Sequence, residues 1–137
     1  MSVLITYQML IDGQWVDAAD GGCFESIDPS TGEAWAMVPE ATAADVERAV
    51  KAAERAMYEG PWANMTPTER GKYLRRLGDL LADKSEDLGR IETRDTGKMF
   101  TETRWQAKYI AEFFHFYAGA ADKIDGKTLP IDKPDMF

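Results

Sequence analysis

Cysteine and histidine are nearly missing from this 137-residue chain, which has one of each. A single cysteine, Cys23, excludes an internal disulfide framework. With His115 as the sole histidine, too few nitrogen and sulfur ligands remain for a zinc site. Long hydrophobic runs are also lacking. The apolar stretches are a few residues long, against about 20 for a transmembrane helix, and no signal-peptide pattern opens the chain. The expectation from these absences is a cytoplasmic protein. Positive charge is scarce in the first sixty residues, where 11 acids face 3 bases, a balance of −8 that equals the net charge of the whole chain. Nucleic-acid and anionic-membrane surfaces need clustered Lys and Arg, so neither partner is expected. No G-x-G-x-x-G occurs. Gly126-Lys127-Thr128 has the last letters of a phosphate loop without its first glycine at the required spacing.

What is present is helical periodicity. Thr66 and Glu69 have capping-box spacing, and Pro67 takes the first helical position, where its missing N–H costs nothing. Leu74, Leu77, Leu81, Leu88 and Ile91 then recur on one stripe, widened by Tyr73 and Leu80. Lys84-Ser85 interrupts it, with Ser85 as a candidate new N-cap. Two helices, about 67–83 and 86–95, are predicted. Glu86 and Arg90 are spaced for an ion pair, and Gly97 is a helix stop.

Upstream, residues 7–17 read as a hairpin around Asp12-Gly13, a pair that accepts the positive φ values of a type I′ turn. Cys23 to Ile27 and Ala34 to Val38 read as strands joined by the turn Asp28-Pro29-Ser30-Thr31-Gly32. Thr42 and Asp45 open a helix to Tyr58, which Gly60-Pro61 ends. Trp62 is read as an anchor over the loop. A further helix, about 100–118 with Thr101 or a neighbour as its cap, carries Trp105, Tyr109, Ile110, Phe113, Phe114, Phe116 and Tyr117 on more than one face and therefore needs partners on several sides. Thr128 to Ile131 is extended, with Pro130 favouring an edge. The fold class is α+β and mostly helical. A small N-terminal antiparallel β unit (1–40) precedes helices (41–123) and a terminal extended stretch (124–137).

Candidate chemistry is sparse. His115 lies within the aromatic helix without an evident orienting partner, and a packed or hydrogen-bonded role is favoured over general-base work. Cys23 follows Gly21-Gly22 between Asp20 and Glu25, which do not activate a thiol, so it is read as inert. Asp95 falls at a helix C-terminus, where a carboxylate opposes the macrodipole. Arg94, Lys98, backbone N–H groups or a bound cation must compensate it. On the residues alone a loop-stabilising role is favoured over a cation site.

Several short motifs occur in one order: Ile11-Asp12-Gly13-Gln14-Trp15, Phe24 through Asp28-Pro29-Ser30-Thr31-Gly32-Glu33, and Ala41-Thr42 through Val46, Ala49, Val50 and Ala53. Trp62, Arg70, Leu74 and Glu92-Thr93-Arg94-Asp95-Thr96-Gly97-Lys98 follow, then Phe116-Tyr117-Ala118-Gly119, Lys123-Ile124-Asp125-Gly126 and Pro130. Each is weak alone, but their joint order is specific. Over essentially its whole length the chain resembles the N-terminal region of the aldehyde dehydrogenase superfamily, most of all the betaine-aldehyde and general aliphatic branches.

The resemblance implies part of an α/β enzyme with an NAD(P) domain, a catalytic domain and a bridging oligomerisation sheet, whose first strand residues 124–137 would begin. Members oxidise aldehydes to carboxylic acids through a cysteine thiolate, a glutamate-activated water and an asparagine that helps hold the oxyanion. The family's nucleophile, base and main cofactor stretch lie beyond Phe137, and Cys23 is not at the nucleophile's position. The expectation is therefore a fragment, truncated product or incomplete record, inactive alone, with no catalytic or cofactor-binding residue of its own. NAD or NADP and an aldehyde belong to the full-length enzyme, and the rest of that enzyme or another subunit is the implied partner. The resemblance also implies a structural monovalent cation, potassium or sodium, held by oxygens of Ser26, Ile27 and Asp95 with a remaining ligand downstream of this chain, so none is expected to bind tightly to this chain alone. The alternative is a non-catalytic helical module that binds a partner through Trp105–Tyr117.

Overall fold

A computed structural model describes residues 4–127. The extended stretch expected at 128–131, and residues 128–137 of the expected bridging strand at 124–137, lie outside the described residues. Five strands precede four helices: β1 (Ile5–Thr6), β2 (Met9–Ile11), β3 (Gln14–Val16), β4 (Cys23–Asp28), β5 (Glu33–Pro39), α1 (Ala43–Tyr58), α2 (Pro67–Asp83), α3 (Ser85–Thr96) and α4 (Phe100–Ala120). A short 3-10 turn, Pro61–Asn64, links α1 to α2.

The strand half forms two small sheets. β2 and β3 pair antiparallel through Asp12 and Gly13, whose φ values of 54° and 74° are those of the predicted turn. β4 and β5 pair antiparallel across the Asp28–Gly32 turn, in which Gly32 N–H donates to Asp28 O at 2.8 Å. The N-terminal unit is not purely antiparallel, however. β1 adds to β5 in parallel, giving the order β1-β5-β4. Two residues, Ile5 and Thr6, carry too little pattern for this strand to be read in advance.

Both predicted capping boxes form. Thr42 caps α1 and Thr66 caps α2, each hydroxyl accepting from the N3 backbone while the N3 carboxylate accepts from the cap N–H. The two other predicted caps do not form. Ser85 is the first residue of α3, and Lys84 joins α2 to α3 as a kink, donating to Leu80 O and accepting from Leu88 N–H. With main-chain bonds running through the junction, Ser85 has no cap to supply. Likewise Met99, not Thr101, precedes α4, with no side-chain cap bond. Glu86 accepts from Arg90 at 2.6 Å as predicted, and Trp62 anchors the loop, its carbonyl accepting from Arg70 at 3.1 Å and its ring meeting Tyr73 edge-on.

The helices meet through small residues. α2 and α3 both pack along α4. An added Cβ on Gly71 would stand 2.7 Å from Ala118 O, on Gly78 2.8 Å from the His115 ring, and on Gly89 2.8 Å from the Arg104 backbone. Ala107 and Ala111 line the same seam and are buried. Thr103, fully buried, sits between α3 and α4: its hydroxyl donates to Gly89 O at 2.9 Å and can accept from the Thr93 hydroxyl at 2.9 Å. Leu77, Leu80, Leu88 and Ile91 of the predicted stripe remain exposed.

Asp45 ties the loop before β4 to α1. Its carboxylate is 1% exposed and accepts from Ala19 N–H, Thr42 N–H and the Thr42 hydroxyl at 2.8 to 3.1 Å, with Arg48 at 3.2 Å. The Ala19 and Thr42 backbone donors, ahead of Arg48, hold it below the ordinary carboxylate range.

Two outcomes follow from this packing. Gly89→Ala lowers unfolding stability by about 1–3 kcal/mol, because its methyl meets backbone, whereas Gly119→Ala, facing open space in α4, is neutral or raises it by up to about 1 kcal/mol. Denaturant titration followed by circular dichroism checks both. Asp45→Asn destabilises the fold most above the unfolded aspartate pKa of about 4. A depressed folded pKa gives stability that is present above that value and lost as pH falls through the folded one. The wild-type advantage therefore shrinks with acidification, as unfolding midpoints across that range measure.

Candidate functional site

Ser26 and Asp95 meet where the sheet joins the end of α3, and Ile27 is the next residue of β4. Ser26 lies in β4, half-buried, and its hydroxyl donates to Asp95 Oδ1 at 2.6 Å across 69 residues of sequence. Asp95 is exposed in the last turn of α3. Ile27 follows Ser26 at a break in the β4–β5 register, where Ser26 pairs with Ala36 and Ile27 with Ala34. The extra residue of this bulge is Trp35 on β5, and it has no register partner on β4. The Ile27 side chain is apolar, so its main-chain carbonyl is the only oxygen it can offer.

Neighbouring contacts hold the corner. Gly97 ends α3 at φ 75°, donating to Thr93 O at 2.9 Å, and a Cβ there would stand 2.8 Å from Pro29 Cγ. A side chain is thus excluded both by backbone conformation and by the turn packed against it. Arg94 lies over the Trp35 ring at 5.1 Å and brings Nε to 3.9 Å from Asp28 Oδ2. Asp28 also accepts from Ser30 N–H at 2.9 Å and the Ser30 hydroxyl at 2.6 Å. The Ser30 bonds first, then Arg94, hold its carboxyl below the usual range.

The two bases that could neutralise Asp95 are engaged elsewhere. Arg94 faces Asp28, and Lys98 donates to Glu92 at 2.8 Å, a bond that raises the Lys98 pKa. Among the described residues no Lys or Arg pairs with Asp95. Its one close partner is a neutral hydroxyl. One carboxylate and one hydroxyl are hard oxygen donors of the kind an alkali ion takes. Among the described residues no trio of His, Cys, Asp and Glu gathers to hold a more highly charged metal.

The other candidates are His115 and Cys23. His115 sits on the α2–α4 seam against Gly78, its Nε2 2.9 Å from Asp79 Oδ1, which is the packed and hydrogen-bonded role favoured from sequence. Cys23 is a free, exposed thiol at the start of β4. Sequence reasoning missed Arg94 between Asp28 and Trp35, and Thr103 between two helices. Neither has a local signal, since the partners lie far away in the chain.

Residues 15–137 match the model of the aldehyde dehydrogenase family. Among curated relatives, the (Z)-2-((N-methylformamido)methylene)-5-hydroxybutyrolactone dehydrogenase of Acinetobacter baylyi is 48% identical over 130 residues, 95% of this chain and 26% of the relative. The mitochondrial aldehyde dehydrogenase family 2 member B4 of Arabidopsis thaliana is 46% identical over 126 residues, 91% of this chain and 23% of the relative. Among solved structures, an aldehyde dehydrogenase from Bacillus cereus superposes with a TM-score of 0.88 at 38% identity, covering 93% of this chain and 26% of that one. A betaine aldehyde dehydrogenase from Staphylococcus aureus, solved with NAD+, gives 0.85 at 37% identity over 96% of this chain and 26% of that one. The chain thus spans about a quarter of the length of the proteins it matches. With nearly all of its residues matched and its α+β fold shared, it belongs to the aldehyde dehydrogenase family.

Proposed function

We propose that this polypeptide is the opening part of an NAD-dependent enzyme that oxidises an aldehyde to a carboxylic acid, and that it has no turnover alone. The family match over residues 15–137 carries this reading. The chain's own residues build no dinucleotide seat, since no glycine-rich phosphate loop occurs in the sequence. Nor do they show a thiol–base pair, since Cys23 on β4 and His115 on α4 share no hydrogen bond among the described residues. The role of the segment is structural. It supplies helices and strands to the enzyme and presents α4 to the rest of that enzyme or to another subunit in an oligomer.

The uncovered apolar face supports this role. Trp105, Phe116 and Tyr117 are 59%, 69% and 61% exposed, with Tyr109 stacked on Trp105 at 4.9 Å between ring centroids and Phe113 edge-on to Tyr109 at 5.5 Å. A contiguous aromatic surface of this kind is where a partner sits or where chains aggregate. The same face keeps open the reading of a non-catalytic module binding through Trp105–Tyr117.

Purified polypeptide with an intact mass of 15.4 kDa is expected to bind a hydrophobic dye or self-associate, and to produce no NADH from aldehydes. NADH production by that species alone overturns the inactive-segment reading. A monomeric, dye-negative protein overturns the uncovered-face argument.

Ser26, Ile27 and Asp95, in the same proposal, hold a monovalent cation through oxygen. The uncompensated carboxylate at a helix C-terminus supports this. Replacing choline by potassium at constant ionic strength is expected to raise the unfolding midpoint slightly, and Asp95→Asn, which keeps an acceptor for Ser26, to remove the rise. An equal rise in both proteins puts the ion elsewhere.

A further inference from the structure

We propose that the aromatic face of α4 is a self-pairing surface, on which two copies of this 137-residue chain join with their α4 helices antiparallel about a two-fold axis. This rests on the uncovered-face reading above and names the occupant. Among the described residues α2 and α3 pack on the side of α4 that holds Ala107 and Ala111. The other side carries Trp105, Tyr109, Phe113, Phe116 and Tyr117, each about half-exposed or more.

The exposed area is of the size a dimer needs. At about 150–250 Å² per aromatic side chain, the five rings together offer roughly 400–700 Å² to a partner. Ile110, also exposed, and the aliphatic stems of Lys108 and Glu112 extend the face. It thereby reaches the lower part of the roughly 600–1,000 Å² that each partner buries in a stable complex. The rings are already set against one another. Trp105 stacks on Tyr109 at 4.9 Å, Phe113 meets Tyr109 edge-on at 5.5 Å, and Phe116 meets Tyr117 edge-on at 5.2 Å. Side chains ordered beforehand lose less freedom on pairing.

The face is also self-complementary, as a two-fold contact requires. Trp105 and Tyr117 stand six residues either side of Ala111, and Tyr109 and Phe113 two residues either side. Antiparallel helices crossing at that level set Trp105 of one copy against Tyr117 of the other, and Tyr109 against Phe113. Charge selects the same arrangement. Lys108 and Glu112 are exposed along one edge of the face, and neither has an ion-pair partner among the described residues. Antiparallel crossing brings that edge of one helix against the same edge of the other. Lys108 then stands within about 3 Å, measured along the axis, of Glu112 in the other copy, and symmetry gives the pair twice. Parallel crossing would set this edge against the opposite one, where Gln106 and Ile110 carry no charge.

Sedimentation equilibrium of the purified chain over about 1–100 μM, the range in which a micromolar complex dissociates, is the test. A monomer–dimer equilibrium is expected. Phe113→Ser, at an exposed position, shifts it to monomer while the helical circular-dichroism signal stays. Lys108→Glu weakens dimerisation roughly tenfold, because two exposed ion pairs become like-charge contacts, and Glu112→Lys does the same. One change makes the chain more acidic and the other less, so weakening by both excludes an effect of net charge. Lys108→Glu combined with Glu112→Lys restores dimerisation. A monomer that still binds a hydrophobic dye overturns self-pairing and leaves the uncovered-face reading intact, with the face open to a different occupant. Association that runs past the dimer, survives Phe113→Ser or ignores both charge reversals overturns the antiparallel pairing. A monomeric, dye-negative chain removes this proposal and the uncovered face together.

Discussion

The contact on which the rest of the structure depends is the pin between the β4–β5 turn and the end of α3. Elsewhere the strand half and the helical half touch little, and α3 on β4 is the principal bridge between the three-stranded sheet and the α2–α4 layer. Three different interactions meet there. Ser26 bonds Asp95, Arg94 spans Trp35 and Asp28, and Pro29 sits where Gly97 lacks a side chain. Gly97 also sets the direction in which the chain leaves this corner. Its left-handed conformation stops α3, and α4 begins three residues later at Phe100. One residue type at one position therefore orients the sheet, α3 and α4 together.

Within the helical layer, closeness of fit does more than apolar burial. Gly71, Gly78, Gly89, Ala107 and Ala111 let α2 and α3 approach α4, but they remove little apolar area from water. Large side chains, each worth about 1.5–3 kcal/mol when fully buried, lie on the outer faces. This is the reverse of an ordinary small domain, where the largest residues fill the centre. Exposed apolar surface of this kind is where a partner sits or where chains aggregate. The chain matches about a quarter of each relative's length.

Local signals in the sequence were legible because their physics is local. Thr42 with Asp45, and Thr66 with Glu69, lie three residues apart and satisfy each other's backbone groups. Asp12-Gly13 and Gly97 mark positive φ in their residue types. The α+β class and the four helices followed from these and from apolar periodicity. Ser85 and Thr101 misled because a cap-forming residue type is necessary for a cap but not sufficient. At Ser85 continuous main-chain bonding through Lys84 won. β1 was missed because two residues show no period. The glycines of α2 and α3 carry no local signal, because they are contact points whose meaning depends on α4. The Ser26–Asp95 contact spans 69 residues and was accessible only through the family resemblance.

The acid surplus of the chain gives that contact its significance. Around the end of α3 the bases are matched to particular carboxylates: Arg90 and Arg104 to Glu86, Lys98 to Glu92, and Arg94 to Asp28. The residue left over is Asp95. An unmatched carboxylate elsewhere on the surface is stabilised by water and screened by salt. At a helix C-terminus it also faces the negative end of the dipole, and its nearest partner, the Ser26 hydroxyl, brings a hydrogen bond but no charge. A folded chain with a net charge of −8 must leave some acids unpaired. Asp95 is one of these, at a helix C-terminus and beside the Ser26 hydroxyl. The bases around it are already committed to other carboxylates.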